Sequence, residues 1–323
     1  MSDTQYTYAV ARTRALETTL FSSATLDQLM ACKDYDACLQ FILDKGWGGE
    51  DVPRDADAIL ASEESKIWER IREMGVDMKV FDVLSYTNLY HNLKAAVKEA
   101  YTGKSSANIY YKNTAVSGED MARIVREHDY KELPLGMQKA AEEAMDTLLH
   151  TGDGQLCDVI IDRATMAAIM KAGRESSDDI IRKYAEFIVA EANIKIAVRG
   201  AKTGKTLEFL LRAMTDCPGM NVEQLAHAAA SGPDAVLEYL ESGSYAEAAE
   251  ALRVSQSAFE RWCDNRLIEI IRPEKYKAFS VGPLVAYIIA RENEIKTVRI
   301  ILTGKQNGLP DDSIRERVRE MYV

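Results

Sequence analysis

The sequence predicts an all-α protein made of three related helical domains. The chain has 7 prolines in 323 residues, and Ala, Glu, Lys, Leu and Met are prominent in its long segments, which favours helix. Alternating apolar and polar runs are few, and the only weak strand candidate is the segment 108–111. A third observation is a residue pattern that occurs three times along the chain.

The repeated pattern is Asn, four residues, Val, a basic residue, three residues and Thr-Gly-Lys. Its copies are Asn92-Val97-Lys98 with Thr102-Gly103-Lys104, Asn193-Val198-Arg199 with Thr203-Gly204-Lys205, and Asn293-Val298-Arg299 with Thr303-Gly304-Lys305. A fixed period is typical of repeated architecture. Because Gly favours a left-handed helix C-cap and Lys favours the negative end of the helix dipole, each copy predicts a long helix that ends at Thr-Gly-Lys.

Shorter helices precede each long one. The residues Thr25, Asp120 and Asn221 are each followed by apolar positions three apart and are predicted to cap a first turn. We therefore expect a short capped helix pair, a middle helix and the long helix in every repeat. This predicts domains at residues 1–117, 118–218 and 219–323.

The chain ends belong to the outer domains. Pro310, Asp311 and Asp312 suit a helix N-terminus, and Ser313 with Glu316 has the spacing of a capping box. The tail resembles the opening of another repeat. We expect segments 1–22 and 308–323 to pair.

The long helices have an apolar face whose edge carries the repeated asparagines. At 100° per residue the apolar arc contains positions related by helical periodicity, namely Tyr86, Leu89, Leu93, Ala96, Val97 and Ala100 in the first copy, Phe187, Ala190, Ile194, Ala197, Val198 and Ala201 in the second, and Tyr287, Ala290, Thr297, Val298 and Ile301 in the third. Asn92, Asn193 and Asn293 are predicted to make helix-to-helix hydrogen bonds, with partner contact as the alternative.

Charged residues raise three further questions. Glu294 falls in the middle of the third apolar arc, which predicts either a local helix slip or a polar group facing that helix. Lys94 with Lys98, and Lys195 with Arg199, lie on the opposite face, which is either solvated or a contact for an acidic partner. The acidic pairs Glu63-Glu64 and Asp178-Asp179 are predicted in helix first turns or on solvated faces.

One segment resembles an enzyme motif. Residues 200–206 read Gly-Ala-Lys-Thr-Gly-Lys-Thr, but a phosphate-binding loop needs four residues between its first Gly and Gly-Lys and follows a strand. Here three residues intervene after a predicted helix, which favours a helix cap over nucleotide binding. No other catalytic constellation is present in the sequence, so we expect no cofactor and no enzymatic activity of the chain's own.

The composition of the chain limits the classes of protein to which it can belong. The net charge of −11 argues against sequence-independent nucleic-acid binding. The longest apolar candidate, residues 281–290, is too short for a membrane span, and residues 1–11 have no apolar signal core, so a cytoplasmic protein is expected. The 5 cysteines lack a zinc or disulfide template and are predicted to be reduced and mostly buried.

The third repeat carries a family resemblance. The stretch Val281-Gly282-Pro283-Leu284-Val285-Ala286-Tyr287, continued through residues 291–299 to Gly304-Lys305 and 307–310, resembles the C subunits of V-type and A-type ATPases, known as the d subunit in eukaryotic vacuolar pumps. The first copy, from Tyr90 to Lys104, is similar to the same family's first repeat. The resemblance covers essentially the whole chain.

The resemblance implies a funnel of three helical domains without catalysis of its own. Such a protein sits on the membrane rotor ring at the cytoplasmic face, receives the D and F subunits of the central stalk, and transmits torque between ATP hydrolysis or synthesis and proton or sodium transport. Candidate contacts are the helix ends and one basic trio, namely Gly103, Lys104, Gly204, Lys205, Gly304 and Lys305, with Lys98, Arg199 and Arg299. The rival interpretations are a free-standing helical scaffold for an unrelated protein and a nucleotide-dependent enzyme built on residues 200–206.

Overall fold

The computed structural model describes residues 6–105 and 109–323, and within them the secondary structure is helical, without a β-strand. The α-helices, α1 to α16, are Thr7–Glu17, Ser23–Met30, Tyr35–Asp44, Ala56–Arg72, Asp82–Thr102, Gly118–Glu127, Leu135–Thr151, Gly154–Glu175, Asp179–Thr203, Leu207–Ala213, Val222–Ser231, Pro233–Glu241, Ala246–Val254, Gln256–Ile271, Gly282–Gln306 and Asp311–Arg315. Short 3-10 turns are Met78–Phe81, Tyr130–Glu132 and Arg272–Tyr276. The predicted all-α class is confirmed. Of the weak strand candidate, Asn108 lies outside the described residues and 109–111 form no strand.

The chain divides into two compact units. The first unit combines the residues up to Met78 with Glu247–Val323, and the second is Lys79–Ala246. Both ends of the chain therefore contribute to one unit. Within it, the Tyr322 hydroxyl lies 3.3 Å from Glu17 Oε1, as expected for paired ends. The sequence repeats divide the chain differently, and the three-domain division remains a prediction.

The core of the first unit is built around α15. Of its 25 residues, 18 are buried, so the helix is enclosed on nearly every side rather than along one stripe. Helices α1, α3, α4 and α14 pack against it. Tyr287 at its centre is fully buried, and Arg70 Nη1 donates to its hydroxyl at 3.1 Å. This satisfies the polar end of a large apolar side chain.

The second unit is centred on α8, which packs against α5, α7 and α9. Small residues allow the helices to approach closely. A Cβ placed on Gly173 of α8 would lie 2.5 Å from the Cβ of Ala185 on α9. The predicted apolar arcs are confirmed in the main, since Leu93, Val97 and Ile194 are fully buried, whereas Ala100 is exposed because it lies in the last turn of α5.

Two predicted N-caps are displaced by one turn. Asn221 caps α11 as expected, with Gln224 N donating to its Oδ1 at 3.0 Å. The caps of α2 and α6 are Ser22 and Ser117 instead of Thr25 and Asp120. Each predicted residue sits three positions later and bonds back to the serine hydroxyl. A Ser followed three residues later by a polar side chain was the signal that locates these helix starts.

The long helices end in two different ways. Gly103 and Gly204 follow α5 and α9 with φ of 66° and 63°, which confirms the predicted left-handed caps. The prediction for the third copy is wrong, because α15 continues through Gly304 to Gln306. Gly304 is buried, and a Cβ there would lie 2.6 Å from Ile314 Cγ1 of α16. Here the glycine gives packing space, and Gly308 makes the left-handed turn.

The tail begins as predicted. Helix α16 starts at Asp311 after Pro310. Ser313 lies inside this helix, so the proposed Ser313–Glu316 capping box is wrong. In the part of the chain that the structure describes, none of the helices has the length and apolarity to cross a membrane.

Candidate functional site

The repeated asparagines hold the backbone that follows each long helix. Asn92 Nδ2 donates to Tyr111 O at 3.0 Å, and its Oδ1 accepts from Tyr111 N at 2.8 Å. Asn193 repeats the arrangement on Thr215, at 2.7 Å and 3.0 Å. The predicted helix-to-helix bond is wrong, because each partner lies in a segment between helices. The side-chain amide gives hydrogen-bond partners to backbone N–H and C=O groups that have none from a helix or a sheet.

The third asparagine makes half of this clamp. Asn293 Nδ2 donates to Glu320 O at 2.9 Å, while its Oδ1 is buried without a hydrogen-bond partner. Glu320 N donates at 2.9 Å to the Oδ1 of Asn265 on α14. Two asparagines on neighbouring helices therefore share the task that one performs in the other copies.

Two of the predicted helix ends lie together in the second unit. Lys205 Nζ contacts Gln155 Oε1 at 2.7 Å, and Lys98 contacts Asp158 Oδ1 at 2.7 Å. Gln155 and Asp158 belong to the first turns of α8. The C-terminal ends of α5 and α9 therefore both lie beside the start of α8. Gly103, Lys104 and Gly204 are exposed there, and Lys205 is half-buried.

The three residues of the basic trio, Lys98, Arg199 and Arg299, have different surroundings. Lys98 is paired with Asp158, and Arg299 contacts Asp57 Oδ1 at 3.1 Å and Glu64 Oε1 at 3.3 Å. Arg199 is exposed, and no carboxylate in residues 6–105 or 109–323 pairs with its guanidinium. Only the second copy thus presents an unpaired cation at this position.

The third helix end is partly enclosed in the first unit. Lys305 Nζ donates to Cys32 O at 2.7 Å and pairs with Asp311 Oδ1 at 2.8 Å. Gly304 is buried against Ile314. These contacts join α15 to the ends of α2 and α16, so this copy of the motif has a packing role that the other two lack.

Two further basic residues on the long helices, Lys94 and Lys195, also find partners within the chain. Lys94 Nζ pairs with Asp162 Oδ1 at 2.6 Å, one turn along α8 from the Lys98–Asp158 pair. Lys195 pairs with Glu191 at 2.5 Å. The acidic surface that was the alternative for Lys94 and Lys98 is the chain's own α8. Such half-exposed pairs contribute up to about 1 kcal/mol each.

Glu294 belongs to a buried ionic network in the first unit. Arg291 donates to Glu294 Oε1 and, at 2.6 Å, to Glu63 Oε2, and its guanidinium lies 4.5 Å from the Trp47 ring centroid. Phe21 N donates to Glu294 Oε2 at 2.8 Å. Helix α15 continues without a slip. The polar group facing it, one of the two predicted alternatives, comes from within the chain.

The prediction for Glu63 is wrong. It lies in the middle of α4, is 2% exposed, and accepts from Gly48 N at 2.9 Å and from Lys66 Nζ at 2.6 Å. Its place between Ile59 and Ile67 on one helix face was the missed signal of burial. Asp178 and Asp179 do lie at the start of α9, as predicted.

The two carboxylates of the network have opposite pKa shifts. Burial by itself would raise the pKa of Glu63, but the Lys66 hydrogen bond and the Arg291 charge bring it below its ordinary value. Burial raises the pKa of Glu294 to about 7, although Arg291 and the Phe21 amide favour the ionised form. Arg291 is thus shared by two acids of unequal strength.

The enzyme-like segment 200–206 is a helix junction. Gly200 is buried in α9, where a Cβ would lie 2.4 Å from Leu210 Cδ2. Thr206 caps α10, with Phe209 N donating to its hydroxyl at 3.3 Å. Lys205 lies 4.9 Å from the Phe209 ring centroid. These residues of the motif have packing or capping contacts, and the segment before it is helical as predicted.

The cysteines and the acidic side chains give no sign of a metal centre. The five cysteines are free thiols, four of them buried, which confirms the prediction. Among the described residues, no group of three or more His, Cys, Asp or Glu side chains is arranged to hold a metal ion.

The second unit has a groove of about 660 Å³ between α5, α7 and α8. Its floor carries the alanines of one α8 face, and its rims carry charges of both signs. Its lining includes Ala164, Ala167, Ala168, Ala172, Arg163 and Glu143. A second depression of about 570 Å³ shares Arg163 and Ala167 and continues the groove toward Val222. Small side chains on this face leave room for a further helix at ordinary packing distance.

Comparison with known proteins gives a consistent result. The family model of the ATP synthase (C/AC39) subunit matches residues 9–317. The chain is 22% identical to the C subunit of the V-type sodium ATPase of Enterococcus hirae, over 96% of both chains. It is 24% identical to the C subunits of the A-type ATP synthases of Methanocaldococcus jannaschii, over 96% of this chain and 85% of that one, and of Haloferax volcanii, over 95% of both.

Proposed function

Because this chain belongs to the ATP synthase (C/AC39) subunit family, which contains the C subunits of V-type and A-type rotary ATPases, we propose that it links the D and F subunits of the stalk to the membrane rotor ring. It transmits torque between ATP hydrolysis or synthesis and the transport of protons or sodium ions, and it has no catalytic site of its own. It acts at the cytoplasmic face of the membrane as a peripheral component. The observation that carries the proposal is the family match across residues 9–317.

The fold supports a mechanical role. Helices enclosed by others, such as α15, and glycine contacts that leave no free space, such as Gly173 against Ala185, make each unit hard to deform. The three asparagine positions add hydrogen bonds that hold the connecting segments to the long helices. A protein that passes torque needs this resistance more than it needs a pocket for chemistry.

Contacts with the stalk are proposed at two places in the second unit. The first is the cluster of helix ends at the start of α8, with Gly103, Lys104, Gly204, Lys205 and the unpaired Arg199. The second is the groove along α8, where a stalk helix can lie on the alanine face. Lys98, Arg299, Gly304 and Lys305 remain candidates, although each already has contacts within the chain.

The experiment is calorimetric titration of the purified chain with a purified D–F complex, with ATP as a parallel titrant. We expect binding of the stalk complex and no heat from ATP. ATP binding without stalk binding would support the enzyme hypothesis for residues 200–206. Co-purification with proteins other than ATPase components would support the free-standing scaffold.

Matched variants localise the contact. Ala167→Trp fills the groove and is expected to weaken stalk binding at least about tenfold, because a bulky ring blocks helix approach. Ala230→Trp is the control, since this alanine is exposed on α11 and does not line the groove. Arg199→Glu tests the helix-end cluster without breaking an internal ion pair. Equal effects of Ala167→Trp and Ala230→Trp would remove the groove from the proposal.

A further inference from the structure

The segment between α14 and α15, which we call the 272–281 loop, exposes two aromatic rings. Tyr276 is 85% exposed and Phe279 is 61% exposed. Aromatic side chains dominate burial energetics because each covers roughly 150–250 Å² when buried. Two large apolar rings are thus exposed within four residues of each other, and exposed apolar surface of this kind is typical of interaction sites on soluble proteins.

The loop is held in place by the rest of the first unit. Arg14 Nη2 donates to Glu274 O at 3.2 Å and to Lys277 O at 3.0 Å. The Glu274 carboxylate is buried beneath the loop, where it pairs with Lys277 at 2.8 Å. It also fills the space that a side chain on Gly282 would need. The rings therefore point outward from a braced backbone, and their exposure is a built feature of the loop.

The charge of the loop is opposite to that of the chain. The loop carries three cations, Arg272, Lys275 and Lys277, and one carboxylate, Glu274, which is buried. Lys277 pairs with Glu274 and Arg272 pairs with Glu320 of the tail, so Lys275 is the cation of the loop that no carboxylate among the described residues neutralises. The whole chain has a net charge of −11. The exposed part of the 272–281 loop is thus a local basic and aromatic surface on an acidic protein.

We propose that the 272–281 loop contacts the headgroup region of an anionic lipid bilayer. Tyr276 and Phe279 insert their rings at the boundary between headgroups and acyl chains, where aromatic side chains are favoured. Lys275, the cation of the loop that no carboxylate of the described residues pairs with, lies among the lipid phosphates, whose surface potential attracts basic segments. The chain makes this contact itself, so the inference goes beyond the stalk-and-ring function and does not depend on it.

Charge favours lipid over a protein surface of the membrane sector. Cytoplasmic loops of membrane proteins carry an excess of Lys and Arg. Such loops would repel the cations of the 272–281 loop, whereas anionic headgroups attract them. A protein contact for the same rings is therefore the competing outcome of the test.

The vesicle assay uses the purified full chain and no other ATPase component. Binding is measured by co-sedimentation at low salt with vesicles of phosphatidylcholine plus phosphatidylglycerol, and with vesicles of phosphatidylcholine alone. We expect weak binding to the anionic vesicles only. The double variant Tyr276→Ser with Phe279→Ser, and separately Lys275→Glu, should each lower the partition coefficient by about tenfold or more. The matched control is Leu135→Ser, which removes an equally exposed apolar side chain (84%) from the second unit.

A fluorescence measurement reports on the aromatic side chain at position 276. In the Tyr276→Trp variant, the added indole emission should shift to the blue with anionic vesicles and be quenched by brominated acyl chains. No vesicle binding by the full chain, or binding that the loop variants leave unchanged, would overturn the proposal. In a separate assay, binding to the detergent-solubilised rotor ring is measured. The proposal would also be overturned if the loop variants bound vesicles normally but no longer bound this ring. Because the vesicles contain neither stalk nor ring, the vesicle results do not depend on whether the proposed function is correct.

Discussion

At the scale of single residues, one asparagine on each long helix determines where the following chain returns. Its side-chain amide offers a donor and an acceptor side by side, so it can pair with both backbone groups of one residue. Asn92 and Asn193 use both groups, and Asn293 uses only the donor. Mutation of these asparagines should therefore have unequal consequences, although all three occupy the same position in the repeat.

The first prediction concerns amide protection at these clamps. Asn193→Ala removes the acceptor of the Thr215 amide, so hydrogen exchange of Thr215 should accelerate by about tenfold or more, the loss of roughly 1.5 kcal/mol. Asn293→Ala should leave the Glu320 amide protected, because that N–H donates to Asn265. The control is Asn265→Ala, which should expose the Glu320 amide. Equal exchange of Thr215 in wild type and Asn193→Ala would contradict the assigned role.

A second prediction follows from the raised pKa of Glu294. The folded-state pKa is about 7, above the ordinary carboxyl value near 4.5. Between these values the folded chain holds a proton that the unfolded chain releases, so this group's contribution to stability is complete below pH about 4.5 and is lost as pH rises through about 7. Glu294→Gln keeps a neutral side chain at every pH. The variant should therefore gain stability relative to wild type as pH increases from about 5 to about 8.

The measurement is urea unfolding followed by tryptophan fluorescence. Trp47, Trp68 and Trp262 all lie in the first unit, so their emission reports on the unit that contains Glu294. Arg291→Met serves as the contrast, since it leaves two buried carboxylates without their shared cation and should cost about 3–5 kcal/mol near neutral pH. A constant difference between Glu294→Gln and wild type across this pH range would show that Glu294 does not titrate there.

At the scale of elements, the glycines within helices set how closely helices approach. Gly173 on α8 faces Ala185 on α9, and Gly304 on α15 faces Ile314 on α16. Gly154, in the first turn of α8, has no atom within 4 Å of the position of an added Cβ. One helix therefore contains a glycine required by packing and another that is not.

The third prediction compares these two glycines of α8. Gly173→Ala forces α8 away from α9, because the methyl group of Ala185 has no alternative rotamer, and should destabilise the second unit by about 1–3 kcal/mol. Gly154→Ala should be neutral or stabilising by up to about 1 kcal/mol through the unfolded state. The free energy of unfolding of both variants is measured by urea unfolding. Far-ultraviolet circular dichroism is the signal, because the second unit contains no tryptophan. Equal stability of the two variants would mean that the α8–α9 contact readily relaxes.

Local chemistry explains why the helices could be predicted from the sequence. The left-handed caps at Gly103 and Gly204 and the cap at Asn221 depend on neighbours within a few residues. The Arg291–Glu63 pair joins residues 228 positions apart, and nothing near either residue specifies the other. The helix-end motif at Gly304 failed for the same reason, since Ile314 of a later helix decided its role. For the candidate site, the sequence predicted equivalent basic residues in all three copies, whereas distant carboxylates on other helices pair with two of them.

At the scale of the whole molecule, the chain leaves the first unit at Met78, forms the second unit, and returns at Glu247. The first unit therefore depends on its last residues as much as on its early ones. In the tail, Ile314, Met321 and Tyr322 are buried, and Arg319 donates to Asp264 of α14 at 2.8 Å. The tail also supplies Glu320 to the third asparagine clamp.

The last prediction tests this dependence by removing residues 308–323. The loss of three buried apolar side chains should destabilise the first unit by roughly 5 kcal/mol. Hydrogen exchange should accelerate in α1, α14 and α15, all built into that unit, while α8 and α9 keep their protection. Val323→Ser is the control for a change at the chain end that leaves the buried side chains in place. Uniform acceleration across both units would mean that they unfold as one, whereas protection of α15 in the shortened chain would show that the tail is dispensable to its core.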